Sequence, residues 1–280
     1  MEFGVTMFPA EYAMEAADLG RETEARGFES LFFPEHTHIP ASRKTPYPSG
    51  GPLPDEYAHN LDPFVAFGAV AAVTSRIMLG TGICLIIQRE PIATARVISS
   101  LDNLSKGRFL FGIGAGWNRE EIENHGVEYR KRWRVMRERV QAMKTIWTND
   151  VATFHGEYVN FDEIWQWPKP TQQPHPPVIV GGDGPLALQH LVEYGDGWVP
   201  HPNRGDSPLA DRLKVANEKL AEAGRQPVPV TLFGVGTDES EIALYKELGV
   251  ARVVFRLPPK TRDEVLPVMD RYAALMEKYR

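Results

Sequence analysis

A regular alternation of short apolar segments with amphipathic segments runs along the whole chain and constrains the fold more than any other feature. The apolar segments are rich in Val, Ile, Leu and Phe, as buried parallel strands are, and the segments between them have helical spacing. The predicted strands span residues 2–8, 28–34, 77–84, 108–114, 177–181, 197–200, 228–235 and 250–257. Eight strand–helix units predict an α/β fold, a (β/α)8 TIM barrel formed as one domain by residues 1–280. A doubly wound open sheet is the alternative, but it would usually be smaller or carry a dinucleotide-binding fingerprint.

Two segments interrupt the alternation and are predicted as insertions after strands two and four. Residues 35–61 and 151–176 are both too long to be simple connectors. Their aromatic side chains include Tyr47, Tyr57, Trp165 and Trp167. We expect both insertions to cover the mouth of the barrel, where they would exclude water and set substrate choice. A contact between two copies of the chain is the alternative for one of them.

The composition argues against several classes of protein. A net charge of -6 without a clustered basic face argues against nucleic-acid binding. The single cysteine, Cys84, cannot form an intrachain disulfide and is expected to be a small buried apolar group, which suits a reducing cytoplasm. No apolar stretch reaches the roughly 18 residues of a membrane-spanning helix, and the first residues do not resemble a secretory signal.

Active sites of such barrels form at the carboxyl ends of the strands, so the residues there limit the chemistry. No lysine for a Schiff base and no opposed carboxylate pair for glycoside hydrolysis is predicted at these ends. His36 and His38 could begin the metal site of a hydrolase, but only His201 is placed to add to it, so we expect no metal. Glu120, Glu121 and Glu123 are expected to form a solvated helix start.

Glycines dominate the strand ends instead. Gly112-x-Gly114-x-Gly116 follows strand four, where a tight turn is the simpler interpretation. Gly181-Gly182-Asp183-Gly184-Pro185 joins a buried strand to a helix. The free N–H groups and the dipole of a helix start favour a phosphate, and glycines let an anion approach the main chain closely. A plain strand–helix turn is the alternative. A mouth made of backbone and glycine is typical of a large planar cofactor that brings its own reactivity.

Several motifs taken together resemble the luciferase-like monooxygenase superfamily, and within it the branch that uses the deazaflavin coenzyme F420. They are Phe-Phe-Pro-Glu-His at 32–36, Leu-Gly-Thr-Gly-Ile at 79–83, Ser-Leu-Asp-x-Leu-Ser-x-Gly-Arg at 100–108, Gly-Ile-Gly-Ala-Gly-Trp at 112–117, Pro-x-x-Val-Gly-Gly at 177–182 and Tyr-Gly-Asp-Gly-Trp at 194–198. The resemblance covers Met1 to about Pro259.

The resemblance implies a role for each matching residue. Glu35 and His36 match an acidic–histidine pair that reaches the ring or the ribityl hydroxyls, and His36 is also the implied acid–base group. Gly82–Ile83 matches a non-prolyl cis peptide bond behind the ring. The implied cofactor contacts are His36, Thr81, Gly82, Ile83, Gly114, Ala115, Gly116, Trp117, Gly181, Gly182, Asp183 and Gly184. Trp117 departs from the deazaflavin sugar-phosphate dehydrogenases, which have a carboxylic acid at its position, and this argues against sugar-phosphate oxidation.

The resemblance therefore implies an oxidoreductase that transfers a hydride between F420 and a small organic substrate, acting as a cytoplasmic homodimer. The expected substrate pocket is formed by Tyr47, Trp165, Trp167, His201 and Arg256. The first alternative is an FMN-dependent monooxygenase that uses O2 and receives reduced flavin from a partner reductase. The residues also leave open a non-catalytic flavin-binding protein and a metal-dependent hydrolase.

Overall fold

A computed structural model describes residues 1–203 and 207–279, and within them parallel strands alternate with helices. The barrel strands are β1 (Glu2–Thr6), β2 (Ser30–Phe33), β3 (Met78–Thr81), β4 (Phe109–Ile113), β7 (Val178–Gly181), β8 (Gly197–Val199), β9 (Thr231–Val235) and β10 (Arg252–Arg256); β5 (Val151–His155) and β6 (Asn160–Trp165) form a separate antiparallel hairpin. The helices are α1 (Ala16–Ala25), α2 (Glu56–His59), α3 (Pro63–Val73), α4 (Pro91–Leu104), α5 (Arg119–Asn124), α6 (Arg132–Thr148), α7 (Pro185–Tyr194), α8 (Leu209–Glu222), α9 (Glu239–Glu247) and α10 (Arg262–Glu277).

The barrel strands form one parallel sheet in the order β8-β7-β4-β3-β2-β1-β10-β9. Its two end strands also approach each other, because the Trp198 N–H donates to the Pro229 carbonyl at 3.0 Å and Trp198 forms a parallel bridge with Val230. The sheet is therefore a nearly closed barrel, and the predicted (β/α)8 fold is confirmed. Among the described residues, no helix combines the length and the apolar character needed to cross a membrane.

Side chains that point inward from the strands fill the interior of the barrel, as in most barrels of this size. Phe32, Leu110, Ile179 and Val254 form one buried cluster. Gly80 on β3 makes room for the Phe32 ring, since a Cβ on Gly80 would lie 2.1 Å from Phe32 Cε1. The strand glycine is thus a packing requirement that keeps this large ring inside the barrel.

The insertion after β2 lies over the mouth, as expected. Its end is fixed by Asp62, whose carboxylate accepts from the N–H groups of Phe64 and Val65 at 2.9 and 3.2 Å and so caps α3. This loop, residues 34–62, carries Tyr47 and Tyr57 to the carboxyl ends of the strands. Its role in substrate choice stays a prediction.

The second insertion does not cover the mouth, and that expectation is wrong. The β5–β6 hairpin follows helix α6 rather than β4, so it lies on the connection that leads back to the amino end of β7. It packs on the outside of α6, where the Glu138 carboxylate accepts from the N–H groups of residues 157, 158 and 159 at 3.0, 2.6 and 2.6 Å. Trp165 and Trp167 are 82% and 58% exposed on this outer surface, so the proposed pocket role of both is corrected.

Candidate active site

Two adjoining cavities occupy the mouth of the barrel. One, of about 330 Å³, surrounds His36, and the other, of about 410 Å³, reaches the glycine turn before α7. They share Ile83, Gly116, Trp117, His201 and Phe233. Together they have the size of a pocket for a cofactor and a small ligand. Of the expected pocket residues, His201 and Arg256 line this mouth, and Tyr47, Trp165 and Trp167 are not among its lining residues.

His36 is held by a buried carboxylate that sequence reasoning missed. Its Nδ1 lies 2.8 Å from Oε2 of Glu121, and Oε1 of Glu121 accepts from the Thr37 N–H at 3.1 Å. Because a carboxylate only accepts, Nδ1 carries the proton, and Nε2 of the neutral ring is left as an acceptor. His36 is therefore oriented as a hydrogen-bond acceptor or proton acceptor at the cavity wall.

Glu121 corrects the expectation of a solvated helix start, because its side chain is 1% exposed. The Asn118 side chain caps α5 by accepting from the Glu121 N–H at 3.3 Å. This cap places Glu121 at the third helical position, directly after the loop that follows β4. An asparagine three residues before a glutamate, just after a barrel strand, is the sequence signal that could have identified this carboxylate.

Glu35 has a different role from the one the resemblance implies. The residue is buried, its Oε2 accepts from the Leu85 N–H at 2.7 Å, and its Oε1 accepts from Arg89 Nε at 2.7 Å. Arg89 also pairs with Asp62 at 2.5 Å. Burial opposes the Arg89 charge, but the Glu35 carboxylate outweighs it and raises the pKa of the guanidinium. Since both Glu35 oxygens are occupied, Glu35 positions the loop and is not assigned to catalysis.

The segment after β3 forms the wall between the two cavities. The Gly82–Ile83 peptide bond is cis, as predicted. A Cβ on Gly114 would lie 1.9 Å from Ile83 Cδ1, so this glycine lets the Ile83 side chain cross the end of β4. Thr81 does not line either cavity, because its buried hydroxyl donates to the Gly112 carbonyl at 2.7 Å. The expectation that Thr81 contacts a cofactor through its side chain is therefore wrong. Cys84 is fully buried as expected, and burial raises the pKa of its thiol.

The glycine turn before α7 borders the second cavity through Gly181, Gly182 and Asp183 and leads directly into the helix start. Gly184 is the N-cap residue, and within residues 1–203 and 207–279 no side chain caps this helix. Gly182 has a φ of +119°, which only glycine adopts readily, and a Cβ on Gly184 would meet no atom within 4 Å. The first N–H groups of a helix have no partner within it, so this turn has the features of a site for an anion such as phosphate.

Asp183 also lines this cavity, but its carboxylate is already bound by protein groups. It forms an ion pair with Arg212 and accepts from the His201 N–H at 3.1 and 3.0 Å. If Asp183 contacts a cofactor as expected, the contact is therefore made by its main chain and not by its carboxylate. Ala115, Gly116, Trp117 and Gly181 line the same cavity, in agreement with their expected positions.

An aromatic cluster forms the rim above His36. The His36 ring centroid lies 5.1 Å from that of Tyr57 and 5.6 Å from that of Trp117. The Tyr47 ring packs against both Tyr57 and Trp117, at 5.3 and 6.1 Å. Arg256 reaches this rim from β10 and forms an ion pair with Glu56 at 2.8 Å.

A metal-dependent hydrolase would need a cluster of metal-ligating side chains. In this part of the chain, no group of three or more His, Cys, Asp or Glu side chains is close enough to hold a metal ion. His38 lies beside the site, where its Nε2 is 2.9 Å from Asn124 Nδ2 and its Nδ1 is 3.0 Å from Thr37 Oγ1. His36 and His38 thus have separate protein partners.

The chain belongs to the luciferase-like monooxygenase family, whose model matches residues 1–260. An uncharacterized protein of Mycobacterium tuberculosis is 38% identical over 279 residues, which is 98% of each chain. The monooxygenase RslO1 from Streptomyces bottropensis has a TM-score of 0.82 at 19% identity, with 100% of both chains covered. An F420-dependent secondary alcohol dehydrogenase, solved with an F420-acetone adduct, has a TM-score of 0.76 at 18% identity, again with 100% of both chains covered. The two structures show that the fold is shared, and members of the family are oxidoreductases or monooxygenases.

Proposed function

We propose that this protein is an oxidoreductase that transfers a hydride between coenzyme F420 and a small organic substrate. One observation carries the proposal: a single mouth region has the oriented His36 at one end and, at the other, the glycine turn that leads into the uncapped α7. The similarity in fold to an F420-dependent alcohol dehydrogenase supports this choice of cofactor. When bound, F420 would supply the hydride carrier, and the residues of the chain would bind and orient the reactants.

The residues at the mouth fit a cofactor with a flat ring and a phosphate. The N–H groups at the start of α7 would hold the phosphate, since no side chain caps this helix and Gly184 has open space where a Cβ would lie. The walls beside Ile83 and Trp117 are apolar and suit a ring system. Arg212 contributes little net charge there because Asp183 already balances it.

His36 has the position and the tautomer to serve this cofactor or its substrate. With Nδ1–H bound to Glu121, its Nε2 would accept a hydrogen bond from an N–H or a hydroxyl in the cavity. Glu121 holds the ring in that orientation and would stabilise the imidazolium if Nε2 took a proton. Glu121 is therefore a positioning residue.

Titration of the protein with F420 and with FMN, side by side, tests the proposed function. We expect F420 to bind at least tenfold more tightly than FMN. Tighter binding of FMN would favour an FMN-dependent monooxygenase that receives reduced flavin from a partner reductase, since both cofactors have a ring, a ribityl chain and a phosphate. Binding of neither would contradict both proposals, and binding without turnover of any tested substrate would favour a non-catalytic flavin-binding protein.

We also propose that the protein forms a homodimer through the outer faces of α3 and α4. Helix α3 contains no charged residue, and Val65 on it is 73% exposed, as is 67% of Leu104 at the end of α4. A groove of about 440 Å³ runs between the two helices on the same face. When two copies are related by a twofold axis, the exposed apolar side chains of each copy can pack into the groove of the other.

The oligomeric state in solution tests this surface. Val65→Glu should shift the protein to monomer in sedimentation velocity, because the new carboxylate would be buried without a partner. Leu244→Glu is the matched control, since Leu244 is 49% exposed on α9, away from this face. A wild-type monomer, or equal dissociation by both variants, would contradict the proposed interface.

A further inference from the structure

Two tyrosines of the loop after β2 meet an arginine of β10 at the rim of the His36 cavity. The Tyr57 and Tyr47 hydroxyl oxygens are 3.2 Å apart. Tyr57 lines the cavity beside His36, and Tyr47 lies on the outer side of Tyr57. Both side chains are half-buried. The pair therefore connects the cavity wall with the surface loop.

The surroundings give the two phenols different acidities. Burial raises the pKa of Tyr57, so this hydroxyl keeps its proton. Burial also disfavours the Tyr47 phenolate, but hydrogen bonds from Tyr57 and Ser49 and the charge of Arg256 outweigh it and lower the pKa of Tyr47. Glu56, the ion-pair partner of Arg256, also faces the pair, and His36 faces Tyr57 across the cavity. The more acidic phenol is the one farther from the cavity.

His36 in its neutral form cannot donate a proton into the cavity. Its one ring proton is on Nδ1 and is bound to Glu121. A substrate oxygen that gains an electron pair needs a donor, and Tyr57 lines the same cavity, with its ring centroid 5.1 Å from that of His36. The geometry thus assigns proton acceptance and proton donation to different side chains.

We propose that Tyr57 is the catalytic proton donor to an oxygen on the reacting carbon of the substrate, and that Tyr47 resupplies this proton under the influence of Arg256. The inference rests on the proposed function and names its substrate class: a carbonyl compound in the direction of reduction, or the corresponding alcohol in the direction of oxidation. Arg256 acts through Tyr47 and is a positioning residue.

The step balances in both directions. When bound, reduced F420 would supply a hydride to the carbonyl carbon. The electron pair of the C=O π bond would move to the oxygen, and that oxygen would take the Tyr57 proton. The Tyr57 oxygen then takes the proton of Tyr47, and the Tyr47 phenolate beside Arg256 takes a proton from water. The carbonyl gains one hydride and one proton and becomes an alcohol. Oxidation of the alcohol follows the same path in reverse.

Turnover of simple ketones by the protein with reduced F420 tests the proton donor. The probes are acetone, cyclohexanone and acetophenone, and formation of oxidised F420 is followed by its absorbance. Tyr57→Phe should lower kcat by roughly 100-fold, the usual contribution of a general acid, with F420 affinity within about twofold of wild type. Tyr47→Phe should lower kcat less, because Tyr57 keeps its proton. Tyr12→Phe is the matched control, since Tyr12 lies on the neighbouring loop and is 43% exposed.

The pH dependence and a titration without cofactor separate this relay from a structural role. Ketone reduction should fall as Tyr47 ionises, below the ordinary tyrosine pKa of about 10, and this falling limb should be absent in Tyr47→Phe. In the cofactor-free protein, the first tyrosinate to appear in the ultraviolet spectrum should be lost in Tyr47→Phe and should form at higher pH in Arg256→Gln. The same titration should be unchanged in Tyr12→Phe.

The outcomes that contradict this inference differ from those that contradict the proposed function. Absence of F420 binding contradicts the proposed function. F420 binding with turnover of another organic substrate but of none of the three ketones contradicts the inference alone. Equal kcat in Tyr57→Phe and wild type, with both proteins folded and binding F420, also contradicts it.

Discussion

Gly184→Asp is the substitution that most directly tests the phosphate site at the start of α7. Gly184 has a φ of -75° and a ψ of 166°, which any residue adopts, and a Cβ there would meet no atom within 4 Å. The same chain shows what an aspartate does in this position. Asp62 precedes Pro63 as Gly184 precedes Pro185, and it caps α3 by accepting from two N–H groups of the first turn. An aspartate at 184 should therefore occupy the amides that we assign to the phosphate.

The expected effects on stability and on binding have opposite signs. An aspartate cap in place of glycine stabilises a helix by a few tenths of a kcal/mol, and its charge at the helix start adds about 0.3–1 kcal/mol. We therefore expect Tm to rise by about 1–3 °C in a protein of this size. A phosphate would lose charge-assisted hydrogen bonds worth about 1.5–3 kcal/mol each and would face a like charge. A total loss of about 3 kcal/mol corresponds to a Kd roughly 100-fold higher.

Isothermal titration with F420 and with FMN, together with a thermal melt, measures both effects. Gly184→Asn is the matched control, because its amide caps the helix without adding charge and should raise Kd by a smaller factor, roughly tenfold. Unchanged affinity for both cofactors in Gly184→Asp, at equal or higher Tm, would refute the placement of the phosphate at this helix start.

Three further outcomes are expected. Glu121→Gln should lower kcat with F420 roughly tenfold or more, because an amide cannot accept from both His36 and the Thr37 N–H as the carboxylate does. The buried donor left unpaired should also lower Tm, and an unchanged pH profile of kcat would count against this role. Burial lowers the pKa of His190 to about 4, so between pH 6.5 and 4 the unfolded chain binds more protons than the folded one; the free energy of unfolding should fall by up to about 3 kcal/mol across this window, and by less in His190→Gln, as urea titrations at several pH values would show. Replacement of Trp165 and Trp167 by alanine should leave cofactor and substrate affinity unchanged, because both side chains lie on the outer surface. A changed KM would instead support a role of the hairpin in the active site.

The barrel could be predicted from the sequence because each strand is buried on both faces. Such a strand is a continuous apolar run, and the helix that covers it has its own period, so the two patterns differ in every unit. Some predicted strands are longer than the observed ones, because the prediction rests on apolar runs and these runs continue past the strand ends. Met7 and Phe8 are buried at the mouth although β1 ends at Thr6. An apolar run indicates buried residues, and at the carboxyl ends of the strands the buried residues continue beyond the strand.

The glycine turn and His36 are easier to predict than Glu121, because the first two follow strands whose ends are fixed by the barrel, whereas the only sequence signal for Glu121 is the capping asparagine three residues before it. The position of Glu121 depends on the rotation of the short helix α5. Of the three glutamates there, Glu123 is exposed as expected, and Glu121 alone is buried. The prediction that Trp165 and Trp167 line the pocket is wrong for a topological reason. Aromatic residues are typical of pockets, but an insertion after a helix is on the side of the connection that returns to the amino end of the next strand.

Asp183→Asn decides between the role implied by resemblance and the role that the contacts show. If the Asp183 carboxylate bound the cofactor, the substitution should weaken binding. In the structure the carboxylate instead neutralises Arg212 beside the glycine turn before α7, where we propose that the phosphate binds, and an asparagine oxygen would still accept from the His201 N–H. Release of the Arg212 charge should then strengthen the attraction for a phosphate, by about 2 kcal/mol for unit charges about 8–10 Å apart at an effective dielectric constant near 20. We therefore expect FMN and F420 to bind roughly 10- to 30-fold more tightly at low salt, with a smaller gain at high salt because of screening. Weaker binding of both cofactors at unchanged Tm would show that the carboxylate itself contacts the cofactor.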